Sequence, residues 1–128
     1  ATLGLIDTDL PRTFPHLKMF GHTGAMADKL RTVLEAYVCF RPDLGYIQGM
    51  SYLAGILCLH IDDEYTVFQC LANLMAREHM FDFFGLRRHR MELYYGVVTR
   101  CLKAAEPKLA AHLDAIGVTP DMYLFMWL

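Results

Sequence analysis

Residues 26–59 read MADKLRTVLEAYVCFRPDLGYIQGMSYLAGILCL, and this stretch decides the fold class. Met26, Leu30, Val33, Leu34, Tyr37 and Val38 recur at steps of three and four, which puts them on one stripe of a helix. Arg41-Pro42 ends that helix, because the residue before a proline is pushed out of the α region. After a Gly/Pro turn, Ile47 to Leu59 is apolar nearly all round, the pattern of a central helix buried on most sides.

The same period continues downstream. Asp62-Asp63-Glu64 ends the apolar run and supplies acidic residues to the next helix N-terminus, where they suit the dipole. Val67, Phe68, Leu71, Leu74 and Met75 make the next stripe, and Leu93, Tyr94, Val97, Val98, Cys101, Leu102 and Ala105 make the cleanest one. Pro107 opens a short helix through Leu113 and Ile116, with Gly117 as its stop. Thr119-Pro120 reads as the N-cap and first turn of a last helix, which runs into Met126-Trp127-Leu128. No hairpin signal, alternating run, repeat or low-complexity segment interrupts the pattern. The expected fold is all-α and multi-helix.

A chain of 128 residues suits one domain. With 55% hydrophobic and 20% charged residues it has the material for a large core, or for a face that another part of a larger domain covers. A net charge of −2 argues against nucleic-acid binding, which calls for a basic stripe. The longest basic cluster, Arg87-Arg88-His89-Arg90, reads as a solvated turn or the exposed start of a helix. Met80, Phe81, Phe83 and Phe84 read as core or as the cover over a helix end. Cys39, Cys58, Cys70 and Cys101 lack C-x-x-C spacing, which argues against zinc. Each sits in an apolar run as a small hydrophobe, so a reduced cytoplasmic compartment is expected. Met50 to Ile61 is the most apolar stretch and is too short to span a bilayer, and no signal peptide is evident.

Two segments break the helical background. One is Ile6-Asp7-Thr8-Asp9-Leu10-Pro11-Arg12-Thr13-Phe14-Pro15, which packs charge, two prolines and a single arginine into a stretch read as non-helical. The other is Arg41-Pro42-Asp43-Leu44-Gly45-Tyr46-Ile47-Gln48-Gly49-Met50, which leads into the apolar run with Tyr46 and Gln48 at its mouth. Taken alone, Gln48 is a glutamine just inside a greasy helix, whose costly amide would bond a loop carbonyl. Arg12 taken alone would pair with Asp7 or Asp9 on the surface.

Together the segments resemble the two signature motifs of the TBC domain family, whose members accelerate GTP hydrolysis by Rab-type small GTPases and so switch them off. Ile6, Asp9 and Arg12 fit I-x-x-D-x-x-R; Tyr46, Gln48 and Gly49 fit Y-x-Q followed by Gly. Arg12-Thr13-Phe14-Pro15, Pro42, Gly45 and Met50 agree at the flanks, and Pro120 to Trp127 is similar to a later helix of the family. The resemblance implies that residues 1–128 are the N-terminal portion of such a domain, truncated at both ends. It implies an activator of GTP hydrolysis that is not itself an enzyme, with Arg12 as an arginine finger and Gln48 as a glutamine finger. Asp9 and Tyr46 are expected to hold the network behind them, Asp9 by gripping the Arg12 guanidinium. Gly45 and Gly49 are expected to let backbone pass close by. No cofactor is implied beyond the GTP and magnesium carried by the partner, a Rab in its GTP form. Membrane contact would be indirect through the Rab, placing the protein in vesicle trafficking, in the cytoplasm or peripherally on endomembranes. The alternative is a non-catalytic Rab-binding or scaffold module on the same fold.

Overall fold

The computed structural model describes residues 2–127, with side chains for residues 4–124. Among these residues there are eight α-helices and no strand: α1 Thr2–Asp9, α2 Ala27–Phe40, α3 Met50–His60, α4 Glu64–Met75, α5 Glu78–Phe84, α6 Arg88–Ala105, α7 Pro107–Ala115 and α8 Pro120–Trp127. The all-α expectation holds. Among the described residues no helix is long and apolar enough to cross a membrane. The readings that touch Ala1 and Leu128 lie outside the described residues.

The chain forms two compact units that divide after residue 77. In the first, α2 packs against α1, α3 and α4. Its stripe is buried as the spacing predicts, with Leu30, Val33, Leu34 and Tyr37 almost fully covered. It stops at Phe40, where Arg41 leaves helical geometry before Pro42. The α4 start is capped by Asp63, whose carboxylate accepts from the Thr66 amide at 2.8 Å. Lys29 on α2 donates to the Cys58 and Ile61 carbonyls at 3.1 and 2.5 Å, placing a cation on the C-terminal end of α3.

Three expectations need correction in this unit. The segment before Arg12 is helical: α1 runs to Asp9, and Leu10–Arg12 continues as one 3-10 turn. Helix α3 begins at Met50 rather than Ile47, because Gly49 takes a φ of 99° that a right-handed helix cannot contain. Nor is α3 covered all round. Met50, Ser51, Ala54, Gly55 and Cys58 are buried, whereas Tyr52 and Ile56 are exposed.

In the second unit α6 packs against α5, α7 and α8. Pro107 starts α7, and Gly117 follows its end with a φ of 72°. The clean α6 stripe is largely open: no α6 residue is buried, and Leu93, Val97 and Cys101 are exposed. Period identifies a face but not whether anything lies on it. Cys39 is exposed as well, so only Cys58 behaves as a fully buried hydrophobe. Met80, Phe83 and Phe84 are buried as core residues.

The basic cluster forms the exposed start of α6, one of its two expected readings, and it also has partners. Asp82, 1% exposed, accepts from Arg90 Nε and from Tyr94 Oη at 3.1 Å each, with Arg87 Nη1 at 3.6 Å. Arg90 also pairs with Glu78, and Arg87 lies 4.3 Å above the Phe81 ring. A buried carboxylate has to be charge-paired, and two of the three arginines meet that need.

Candidate functional site

The arginine-bearing turn is built from the end of α1. Ile6 and Leu10 are buried and anchor it in the first unit. Thr13 closes it: its amide donates to the Asp9 and Leu10 carbonyls at 3.0 and 3.1 Å, and its hydroxyl donates to the Asp9 carbonyl at 2.8 Å. Phe14 then turns the chain through left-handed geometry, with φ 44°. Ile6 and Asp9 face inward while Arg12 points to solvent.

The glutamine-bearing loop has its own fixings. Arg41 grips Asp43 with a two-pronged hydrogen bond, Nε to Oδ1 at 2.8 Å and Nη2 to Oδ2 at 2.7 Å. That bond raises the Arg41 pKa and lowers that of Asp43. The Arg41 carbonyl accepts from the Leu44 and Gly45 amides, at 3.1 and 2.9 Å. Gly45 has φ 67° and Gly49 φ 99°, so both glycines serve backbone conformations that side chains resist. Between them Tyr46 is buried and Gln48 is exposed.

Two tyrosine hydroxyls tie the segments together. Tyr46 donates to Asp9 Oδ2 at 2.8 Å in a buried position, and Tyr52 donates to the Arg12 carbonyl at 2.8 Å. Burial pushes the Tyr46 phenol well up, Asp9 adds to the rise, and Ser51 partly offsets it. Phe14 meets the Tyr52 ring nearly edge-on at 5.1 Å between centroids. A Cβ at Gly55 would lie 3.1 Å from Thr13 Cγ2 and 3.4 Å from Phe14 Cε2, so α3 lies tight against the arginine turn.

Several expected partnerships are therefore redistributed. Asp9 holds Tyr46 rather than the Arg12 guanidinium. Asp7 pairs with Arg31 at 3.0 Å, not with Arg12. Gln48 lies two residues before α3 and at the surface, so its amide carries no burial cost. Among the described residues, neither Arg12 nor Gln48 makes a side-chain hydrogen bond or ion pair. Tyr52 and Gly55 were missed from sequence, and Thr13 was read only as a motif flank. The available signal was Tyr52 itself, an aromatic with a polar tip one turn after Gln48 in an otherwise greasy helix.

An all-helical scaffold that offers one arginine and one glutamine, both exposed, on two cross-tied segments is the class defined by these observations. The sequence matches the family described as the Rab-GTPase-TBC domain over residues 1–128, and the chain belongs to that family. It is 39% identical over 128 residues to TBC1 domain family member 12 of Xenopus tropicalis, covering 100% of this chain and 19% of that protein. It is 38% identical to human TBC1 domain family member 14 over 128 residues, 100% of this chain and 18% of that protein. Drainin of Dictyostelium discoideum is 32% identical over 126 residues, 98% of this chain and 28% of that protein. The chain thus spans less than a third of the length of each of these curated relatives.

Proposed function

We propose that this chain is the finger-bearing part of a domain that accelerates GTP hydrolysis by a Rab-type small GTPase in its GTP form. The observation that carries the reading is the pair of exposed side chains, Arg12 and Gln48, on segments locked to each other by Tyr46–Asp9 and Tyr52–Arg12.

Phosphoryl transfer asks little covalent chemistry of a protein. It asks for positioning and for stabilisation of charge that develops on the phosphate oxygens. Arg12 supplies a permanently charged, planar fork of donors to those oxygens. Gln48 supplies an amide that accepts from the attacking water through its oxygen and donates through its NH₂. It stands in for the glutamine of the GTPase itself. GTP and magnesium arrive on the partner as substrate. The protein contributes no reacting bond and is released unchanged, as an activator working at the cytoplasmic surface of membranes that carry the Rab.

Among the described residues neither side chain has a hydrogen-bond or ion-pair partner, so no such bond must be broken before they enter the partner site. Their main chains are held, which keeps the ordering cost of insertion low. The test is single-turnover GTP hydrolysis across a panel of Rabs by the complete protein, with Arg12→Lys and Gln48→Ala beside the wild type. Stimulation of one or a few Rabs that either substitution removes supports the reading. Unchanged Rab binding without stimulation by any form would instead make this a scaffold.

A further inference from the structure

Resting on that reading, we propose that Tyr52 is a positioning residue that sets Arg12 in register with Gln48. Among the described residues its hydroxyl makes the one hydrogen bond from another segment to the arginine residue itself, reaching the Arg12 carbonyl at 2.8 Å across 40 positions of sequence. It does so from the first turn of α3, where its amide donates to the Gly49 carbonyl at 3.1 Å, directly beside Gln48. A single side chain therefore links the backbone that carries one functional group to the backbone that carries the other.

The surroundings fix this link in direction. Phe14 stands edge-on to the Tyr52 ring, and its left-handed backbone ends the arginine turn. Gly55, one turn further along α3, admits Thr13 and Phe14 to near contact. The Tyr46–Asp9 bond acts at the other end of the same arrangement, three residues before Arg12. Ring and glycine set how far the turn stands from α3. The Tyr52 hydroxyl sets its rotation, because it fixes the peptide plane from which the Arg12 side chain departs. Tyr52 is 41% exposed, so the bond lies at the rim of the fold, where its loss has little effect on stability. Misplacement of a charged group by a fraction of an ångström is costly in a transition state that depends on orientation.

The test is Tyr52→Phe in the complete protein, which keeps the ring and its Phe14 contact and removes only the hydroxyl. Stimulated hydrolysis is measured by single turnover over a range of concentrations against a responsive Rab, with melting temperature alongside. The expected result is a maximal stimulated rate about three- to tenfold lower, the size of one modest hydrogen bond, with half-saturation and melting temperature unchanged. In an Arg12→Ala background Tyr52→Phe should have no further effect, because there is then no guanidinium to place. An unchanged maximal rate overturns the proposal. So does a loss confined to half-saturation, which would make Tyr52 a partner contact, or a loss that follows a lowered melting temperature. If Arg12→Ala alone leaves stimulation intact, the finger reading fails first and this inference with it.

Discussion

In the proposed reaction Arg12 and Gln48 have separate tasks, and their substitutions should separate accordingly. Arg12→Lys keeps the charge but replaces a planar fork with a point donor. Single-turnover assays should show loss of most of the roughly 10³–10⁵-fold stimulation that an arginine finger supplies. Behind them, Tyr46→Phe leaves buried Asp9 short of its recorded donor. That should cost about 1–3 kcal/mol in a denaturant titration. The same phenol carries a pH signature. Its folded pKa lies above the ordinary value of 10.0, chiefly through burial, and the Tyr37 phenol is raised for the same reason. Groups raised in this direction stabilise fully below the unfolded pKa. Stability should therefore be insensitive to these phenols near neutrality and fall as pH climbs above about 10. Tyr46→Phe should flatten that alkaline fall, as followed by circular dichroism. As candidates, Arg12, Gln48, Asp9 and Tyr46 were all legible from the motifs. The Asp9 partner was not, because spacing along the chain favoured nearby Arg12 and only the fold brings Tyr46 across.

At the level of elements, helix starts and stops position the candidate residues. The start of α3 is set by Gly49 at φ 99°, and this keeps Gln48 out of the helix and at the surface. Gly49→Ala imposes the left-handed cost of a Cβ, roughly 1–2 kcal/mol, and should lower stimulation more than the stability loss alone explains. Asp63→Ala is the matched control. It removes the α4 cap at a cost of about 0.5–2 kcal/mol and should leave the maximal stimulated rate unchanged. Period and prolines were enough to find α2, α4, α6, α7 and α8. They failed at α1, because TLGLIDTD carries no apolar stripe and the prolines that follow it suggest a loop. They placed α3 three residues early, because Ile47 continues the apolar pattern while the geometry at Gly49 forbids the helix. Asp82 escaped notice because its partners Arg87, Arg90 and Tyr94 become a cage only after α5 and α6 pack.

Across the whole molecule, the division of labour is clear within the first unit. The α2 stripe supplies buried core, while the turn after α1 and the loop before α3 present Arg12 and Gln48. The apolar content that suggested a large core is spent unevenly, since Leu93 and Val97 on α6 are 52% and 47% exposed. Composition alone could not reveal this, because it does not say which stripes meet. The most direct measurement of the central claim uses a responsive Rab whose own catalytic glutamine has been replaced by alanine. If Gln48 is supplied in trans, single-turnover hydrolysis by that Rab should still be strongly stimulated by the complete protein, and Gln48→Ala should abolish the stimulation. Loss of stimulation on replacing the glutamine of the Rab, with the wild-type protein still bound, would contradict the dual-finger account.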